Sequence, residues 1–278
     1  MRNIVGINDC MNTFEGDGIP VTRAFPVPAM RENDPFLLFD HFGPINYEPG
    51  GATGVPAHPH CGFEAITYLL GGEVEHKDSW GGQAAIETGD IQWMTTGSGL
   101  IHSELVTDKF KKSGGEMQGL QIWVNLPQKH KQVKPWYQHI KKNDIPTIDE
   151  GNDVLIKVLV GKVKNISSAV QTYSPVSIFD VQFIKPSLID LDISKNQTVM
   201  VYVIDGELKF HDENQIARKG QMIYFDQSSD MINLTSISST GSYLVLAGEP
   251  LNEPVVRYGP FVTNTEGDMK KVMLDYQN

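Results

Sequence analysis

His58-Pro59-His60 and, further along the chain, His102-Ser103-Glu104 each place two metal-competent side chains two residues apart. Successive side chains of a β-strand leave opposite faces, so residues two apart project from the same one. Two neighbouring strands carrying these pairs would aim three imidazoles and one carboxylate at a single point. Such a donor set suits one divalent transition metal: iron(II), nickel, manganese or zinc. A metal that prefers five or six ligands would keep positions open for a substrate and dioxygen, whereas zinc would favour a closed tetrahedron. Cys61 follows His60 directly and should point to the opposite face, so it reads as a packed thiol rather than a thiolate ligand. His76, His130, His139 and His211 read as ordinary core or surface histidines.

A site of this kind needs strands, and the chain offers them throughout. Residues 66–70, 154–160, 176–184, 199–204 and 243–246 are short runs rich in β-branched and aromatic residues, bounded by Gly, Pro, Asn or Asp. The run 176–184 alternates well enough to give one buried and one wet face. Helical periodicity is confined to two places. One is 266–276, where Met269, Val272, Met273 and Tyr276 fall at helical spacing behind an Asn264-Thr265 cap signal. The other is a weaker lysine-rich piece over 129–142, which Pro127, Pro135 and Pro146 would interrupt and which reads as a linker between two halves.

With 278 residues the chain fits two domains of about 100–150 residues each. Its 16 prolines and 26 glycines are scattered, as in a turn-rich globular protein and unlike a disordered one. An internal repeat supports the division. Tyr68-Leu69-Leu70-Gly71-Gly72-Glu73-Val74 corresponds to Tyr202-Val203-Ile204-Asp205-Gly206-Glu207-Leu208, and Gly89-Asp90-Ile91-Gln92-Trp93-Met94 to Gly220-Gln221-Met222-Ile223-Tyr224-Phe225. Carried back to the donors, the same alignment sets Asp192, Ser194 and Thr198 against His58, His60 and Glu64, and Asn233 and Thr235 against His102 and Glu104. None of these is an imidazole, so the second copy is expected to hold no metal. The expected boundary separates 1–130, carrying the metal site, from 131–278, without one but with the C-terminal helix.

The flanks of the donor pairs narrow the fold. His58-x-His60-x-x-x-Glu64 followed by Gly71, and Gly89 followed by Gly99-Leu100-Ile101-His102, resemble the two signatures of the cupin barrel. Thr95 stands where a proline is usual, and the second signature runs two residues long and continues to Glu104. The segments His58-Pro59-His60-Cys61-Gly62-Phe63-Glu64, Gly97-Ser98-Gly99-Leu100-Ile101-His102-Ser103-Glu104, Phe36-Leu37-Leu38-Phe39-Asp40-His41-Phe42-Gly43-Pro44, Ala247-Gly248-Glu249-Pro250-Leu251-Asn252-Glu253-Pro254 and Gly259-Pro260-Phe261-Val262-Thr263-Asn264-Thr265 closely resemble the pirins. The resemblance spans nearly the whole chain. It implies an all-β fold of two tandem cupin (jelly-roll-like) β-barrels with a short C-terminal helix. It also implies that His58, His60, His102 and Glu104 ligate iron(II). Glu64, a ligand in the general cupin pattern, is then assigned to orienting a ligand imidazole, and His41 lies either at the cavity entrance or in a structural turn.

The same resemblance implies two classes of function. One is quercetin 2,3-dioxygenase chemistry, an oxidoreductase activity in which dioxygen opens a flavonol such as quercetin with release of carbon monoxide. Glu104, or Glu64 behind it, would then serve as base for the flavonol hydroxyl. Phe39, Phe63, Trp93, Met117 and Trp123 are candidates for an apolar cavity wall, with barrel packing as the alternative for each. The other class is regulatory: an iron-bearing barrel that contacts a partner protein such as a transcription factor or metabolic enzyme. A third class, sugar-phosphate isomerases on the same scaffold, would need a convergent Arg or Lys cluster that these segments do not offer.

Charge and hydropathy limit the partners. A net charge of −11 opposes non-specific contact with nucleic-acid phosphates, so no direct nucleic-acid binding is expected. No run of about eighteen apolar residues suggests a membrane span, and residues 1–12 lack the basic start and apolar run of a signal peptide. The chain is expected to be cytoplasmic, with Cys10 and Cys61 as thiols.

Overall fold

The structure is a computed structural model that describes residues 1–16, 18–28, 33–210 and 215–277. His211 lies outside the described residues. Each half of the chain builds one seven-stranded antiparallel sheet and one four-stranded sheet. In the first half the large sheet runs Trp136–Ile140, Ile91–Thr95, Phe63–Gly71, Gly115–Asn125, Phe36–Tyr47, Ile19–Phe25, Met11–Glu15, and the small one Gly54–His60, Leu100–Val106, Glu73–Asp78, Gln83–Glu87. In the second half the large sheet runs Ile4–Asp9, Gln221–Phe225, Thr198–Asp205, Gly241–Gly248, Val176–Phe183, Val154–Val160, Thr147–Gly151. Its small sheet is Ser187–Asp192, Met231–Ser236, Glu207–Lys209, Ile216–Arg218. This is the all-β tandem architecture expected from the strand pattern and the repeat.

Side-chain alternation explains how the sheets stack. Along Phe63–Gly71, Ile66 and Tyr68 join a core shared by both large sheets, while Phe63, Ala65 and Leu69 turn into the interior of the first half. Thr198–Asp205 has the same phase: Met200, Tyr202 and Ile204 enter the shared core, and Val199, Val201 and Val203 pack inside the second half. The two large sheets therefore meet face to face. The repeat-equivalent tyrosines cross this join in opposite directions. Tyr68 donates its hydroxyl hydrogen to Asp180 Oδ2 at 2.8 Å, and Tyr202 Oη lies 2.7 Å from His41 Nδ1. His41, whose Nε2 accepts from Gln118 Nε2, is thus a residue of the join and not of a cavity entrance.

Two strands cross the boundary expected at 130/131. Ile4–Asp9 pairs along Gln221–Phe225 of the second half, and Trp136–Ile140 pairs along Ile91–Thr95 of the first. Arg2 anchors the former: its guanidinium donates to the carbonyls of Ile193, Ser194, Gln197, Asp226 and Ser229. The lysine-rich piece 129–142 is consequently a strand flanked by short 3-10 turns, Gln128–His130 and Lys142–Asp144, rather than a helical linker. Lys131 within it is buried, donating to Gly62 O and Asn125 Oδ1. The C-terminal helix spans Glu266–Gln277; Thr265 Oγ1 accepts from the Asp268 amide at 3.1 Å, and Met269 is its buried residue. No helix among the described residues is long and apolar enough to cross a membrane.

Candidate metal centre

His58 and His60 lie at the end of strand Gly54–His60, and its antiparallel neighbour Leu100–Val106 sets His102 directly opposite His58. The ligand-type atoms of these three imidazoles lie within 4.8 Å of one another. His58 Nε2 and His60 Nε2 are 3.0 Å apart. Two nitrogens held about 2.1 Å from one ion and at a right angle to each other would be separated by about 3.0 Å, so the pair has the spacing of neighbouring ligands.

The hydrogen-bond network assigns the tautomers that such a centre needs. His58 donates Nδ1–H to the Pro56 carbonyl at 2.8 Å, which leaves its Nε2 lone pair free. His76 Nε2 lies 3.0 Å from Asp78 Oδ2 and donates to it, so His76 Nδ1 carries a lone pair. That lone pair faces His102 Nδ1 at 3.4 Å and accepts its hydrogen. His102 Nε2 is left as a buried acceptor with no hydrogen-bond partner among the described residues. Burial, followed by the nearby His58, pushes the His60 pKa down to about 3, and burial drives His102 well below the usual range. Both imidazoles are therefore neutral, the form that binds a metal.

His76, read from the sequence as an ordinary histidine, is thus a supporting member of the cluster. It is fully buried and stacks on Tyr137, ring centroids 4.0 Å apart, from the strand Trp136–Ile140. Its signal was present in the sequence: His76-x-Asp78 has the same two-residue spacing as the donor pairs.

Glu104 shares the cavity with His58 and His60 but does not fall within the three-imidazole cluster. Its Oε1 accepts from Thr67 Oγ1 at 3.3 Å and from Gln92 Nε2. Tyr137 in turn donates to Gln92 Oε1, and Glu104 Oε2 accepts no hydrogen bond among the described residues. Between His102 and Glu104 the pairing register with Gly54–His60 shifts, which offsets the carboxylate from the histidine row.

Glu64 corrects the expectation that it orients a ligand imidazole. Its carboxylate accepts from Trp93 Nε1, Thr95 Oγ1, Thr172 Oγ1 and the Tyr173 amide, at the join between halves. The cause is a phase change. Strand Gly54–His60 ends before Cys61-Gly62, where Gly62 has φ +86°, and Phe63–Gly71 restarts with Glu64 on the face away from the cavity. Burial raises the Glu64 pKa.

His58 and His60 open onto a cavity of about 500 Å³, within the range of small-molecule sites. Ile19, Val21, Phe42, Val55, Met117 and Trp123 give it apolar walls. Of the five wall candidates, Met117 and Trp123 line it. Phe63 stacks behind Trp123 at 4.1 Å, and Phe39 and Trp93 belong to the shared core. In the second half, Asp192 and Ser194 line a separate cavity with Lys162, Lys164 and Asp190. Thr198 donates to the Asp34 carbonyl, and Asn233 to Asp190.

Comparison with known proteins places this arrangement. The family described as Pirin matches residues 18–124, which contain all four expected donors, and the family described as Pirin C-terminal cupin domain matches 178–278. A Pseudomonas aeruginosa protein that carries the provisional name quercetin 2,3-dioxygenase is 36% identical, covering 100% of this chain and 98% of the relative. The chain belongs to the pirin family. Its two halves are the pirin's tandem cupin domains. A solved structure of quercetin 2,3-dioxygenase from Acinetobacter baumannii superposes with a TM-score of 0.93 at 34% identity, covering 100% of this pirin and 97% of that chain. The bacterial pirin YhhW from Escherichia coli, solved in complex with nickel(II), shares the fold at a TM-score of 0.66 and 18% identity, covering 88% and 99%. In this pirin the three imidazoles could hold a divalent first-row metal: their donors fit such an ion, and the buried His102 Nε2 has no hydrogen-bond partner among the described residues.

Proposed function

We propose that this pirin is a metal-dependent dioxygenase that opens flavonols such as quercetin, with release of carbon monoxide. His58, His60 and His102, with Glu104 reaching in from the same cavity, would hold one divalent ion, iron(II) by its suitability for dioxygen chemistry, in preference to nickel, manganese or zinc. When bound, the ion supplies Lewis acidity toward the flavonol oxygens and redox contact with dioxygen. The observation that carries the reading is the convergence of three imidazoles, two of which, His58 and His60, line a largely apolar cavity of about 500 Å³.

The chain's own residues then perform three tasks. His76 and Asp78 fix the His102 tautomer so that its lone pair faces the donor cluster. Thr67 and Gln92 hold Glu104 by Oε1, which leaves Oε2 as the oxygen that would either ligate the ion or take the proton of the flavonol 3-hydroxyl as a positioned base. Val21, Phe42, Met117 and Trp123 exclude water from a planar aromatic ligand. The test is dioxygen-dependent loss of flavonol absorbance by iron-loaded protein, abolished by His58→Ala with His102→Ala together with loss of bound metal. Undiminished absorbance under air would overturn the dioxygenase reading and transfer the site to the regulatory one.

A further inference from the structure

Trp123 connects the imidazole cluster to Arg257, the only Lys or Arg among the described residues that line the cavity. Its ring centroid lies 5.2 Å from that of His60, edge-on, and the Arg257 guanidinium carbon lies 4.8 Å from the same indole. Imidazole, indole and guanidinium thus follow one another along a single wall. Arg257 is fixed there by donating from Nη1 to the Leu37 carbonyl at 3.2 Å and from Nε to the Gly259 carbonyl at 3.4 Å.

Two features set Arg257 apart from its neighbours. The first is charge. Arg23 spends its guanidinium on both oxygens of Asp40 and on Glu15, whereas Arg257 forms no ion pair among the described residues, and its Nη2 donates to no acceptor among them. The second is placement. Arg257 belongs to the hairpin of Val256–Tyr258 and Phe261–Thr263, which lies late in the second half of the chain yet is tied to the residue after His60. Cys61 donates its amide to the Pro260 carbonyl at 3.3 Å, and Val262 donates to the Cys61 carbonyl at 2.9 Å. At Gly62 any side chain would run into the Val262 carbonyl oxygen. The hairpin is therefore held in register with the metal ligands, although it comes from the far end of the sequence.

We propose that Arg257, stacked on Trp123, is the specificity-determining residue that recognises oxygen substituents on the distal ring of a planar ligand whose chelating end faces the imidazoles. The inference rests on the flavonol reading of the cavity and deepens it: the preferred substrate carries hydroxyl oxygens at both ends. A guanidinium presents N–H groups in a rigid fork suited to adjacent oxygens, and it can do so while its plane stays on the indole.

The test compares quercetin, hydroxylated on its pendant ring, with galangin, whose pendant ring is bare. Binding to the metal-loaded protein is followed without dioxygen by quenching of tryptophan fluorescence, in wild type, Arg257→Met and Arg257→Lys. Wild type should prefer quercetin about tenfold, and Arg257→Met should lose that preference by weakening quercetin while galangin changes less than twofold. Arg257→Lys should recover part of it, and metal content should stay constant across the series. Equal weakening of both flavonols, unchanged quercetin affinity in Arg257→Met, or no binding of either to wild type would overturn the assignment. Discriminating binding without turnover under air would overturn the dioxygenase reading and leave this one standing.

Discussion

His102 and His76 meet through their Nδ1 atoms at 3.4 Å, and through that contact the cluster reaches a carboxylate outside it, Asp78. A neutral imidazole can present a lone pair at Nε2 only when its hydrogen rests on Nδ1, so the partner of Nδ1 decides whether His102 is a donor to metal.

Replacing His76 with Phe keeps a ring against Tyr137 and removes the acceptor for His102 Nδ1–H. Metal affinity should fall about 10–100-fold with little change in secondary structure. Competition against a chelator measures this, and an unchanged affinity would show that His102 needs no such partner. Asp78 is a poorer target, because its Oδ1 also accepts the amides of Trp80 and Gly82.

The two glutamates should separate cleanly. Glu104→Gln keeps an oxygen for Thr67 and Gln92 while removing the negative donor, so metal content and flavonol turnover should both drop with the fold intact. Glu64→Gln should leave metal content unchanged and cost on the order of 1–3 kcal/mol of stability, since it disturbs a buried acceptor with four donors. Elemental analysis paired with denaturant titration distinguishes the two; loss of metal in Glu64→Gln would reverse the roles assigned.

His41 makes the join between domains sensitive to acid. Burial, then the charge of Lys219, lowers its pKa to about 4 from an ordinary 6.5. The unfolded chain therefore binds the proton more readily, and this contribution is full above pH 6.5 and lost as pH falls toward 4. It should amount to about 2 kcal/mol between pH 7.5 and pH 5. The difference in denaturant stability between wild type and His41→Gln should shrink or change sign over that interval; a pH-independent difference would remove His41 as the source.

Arg2 can be tested by Arg2→Met, which retains much of the stem and deletes the donors to five carbonyls. A loss of about 2–4 kcal/mol is expected, with faster hydrogen exchange in Ile4–Asp9. Unaltered exchange there would mean that the strand's ladder alone holds it.

Much of this molecule was legible in its sequence because two periodicities are strict. Tyr68 and Tyr202 occupy one phase of equivalent strands and both face the join, and His58, His60 and His102 converge because residues two apart share a face. Glu64 departs from the expected face because that rule breaks at the Cys61-Gly62 turn. Residues 129–142 misled because lysine and glutamine favour helices locally, whereas pairing of Trp136–Ile140 with Ile91–Thr95 overrides that preference. Arg257 gave no local signal, since its distance from Trp123 depends on a chain reversal spanning both domains.

The exchange of Ile4–Asp9 into the second domain, answered by the return of the Val256–Tyr258 hairpin to the first, laces the protein at both ends. Separating the domains would strip a strand from one and a cavity wall from the other, so neither can melt alone with its full set of contacts. During synthesis at about 5–20 residues per second, the first strand must wait on the order of ten to forty seconds for Gln221–Phe225. The donor residues are all made early, but the pocket they serve closes only after nearly the whole chain has left the ribosome.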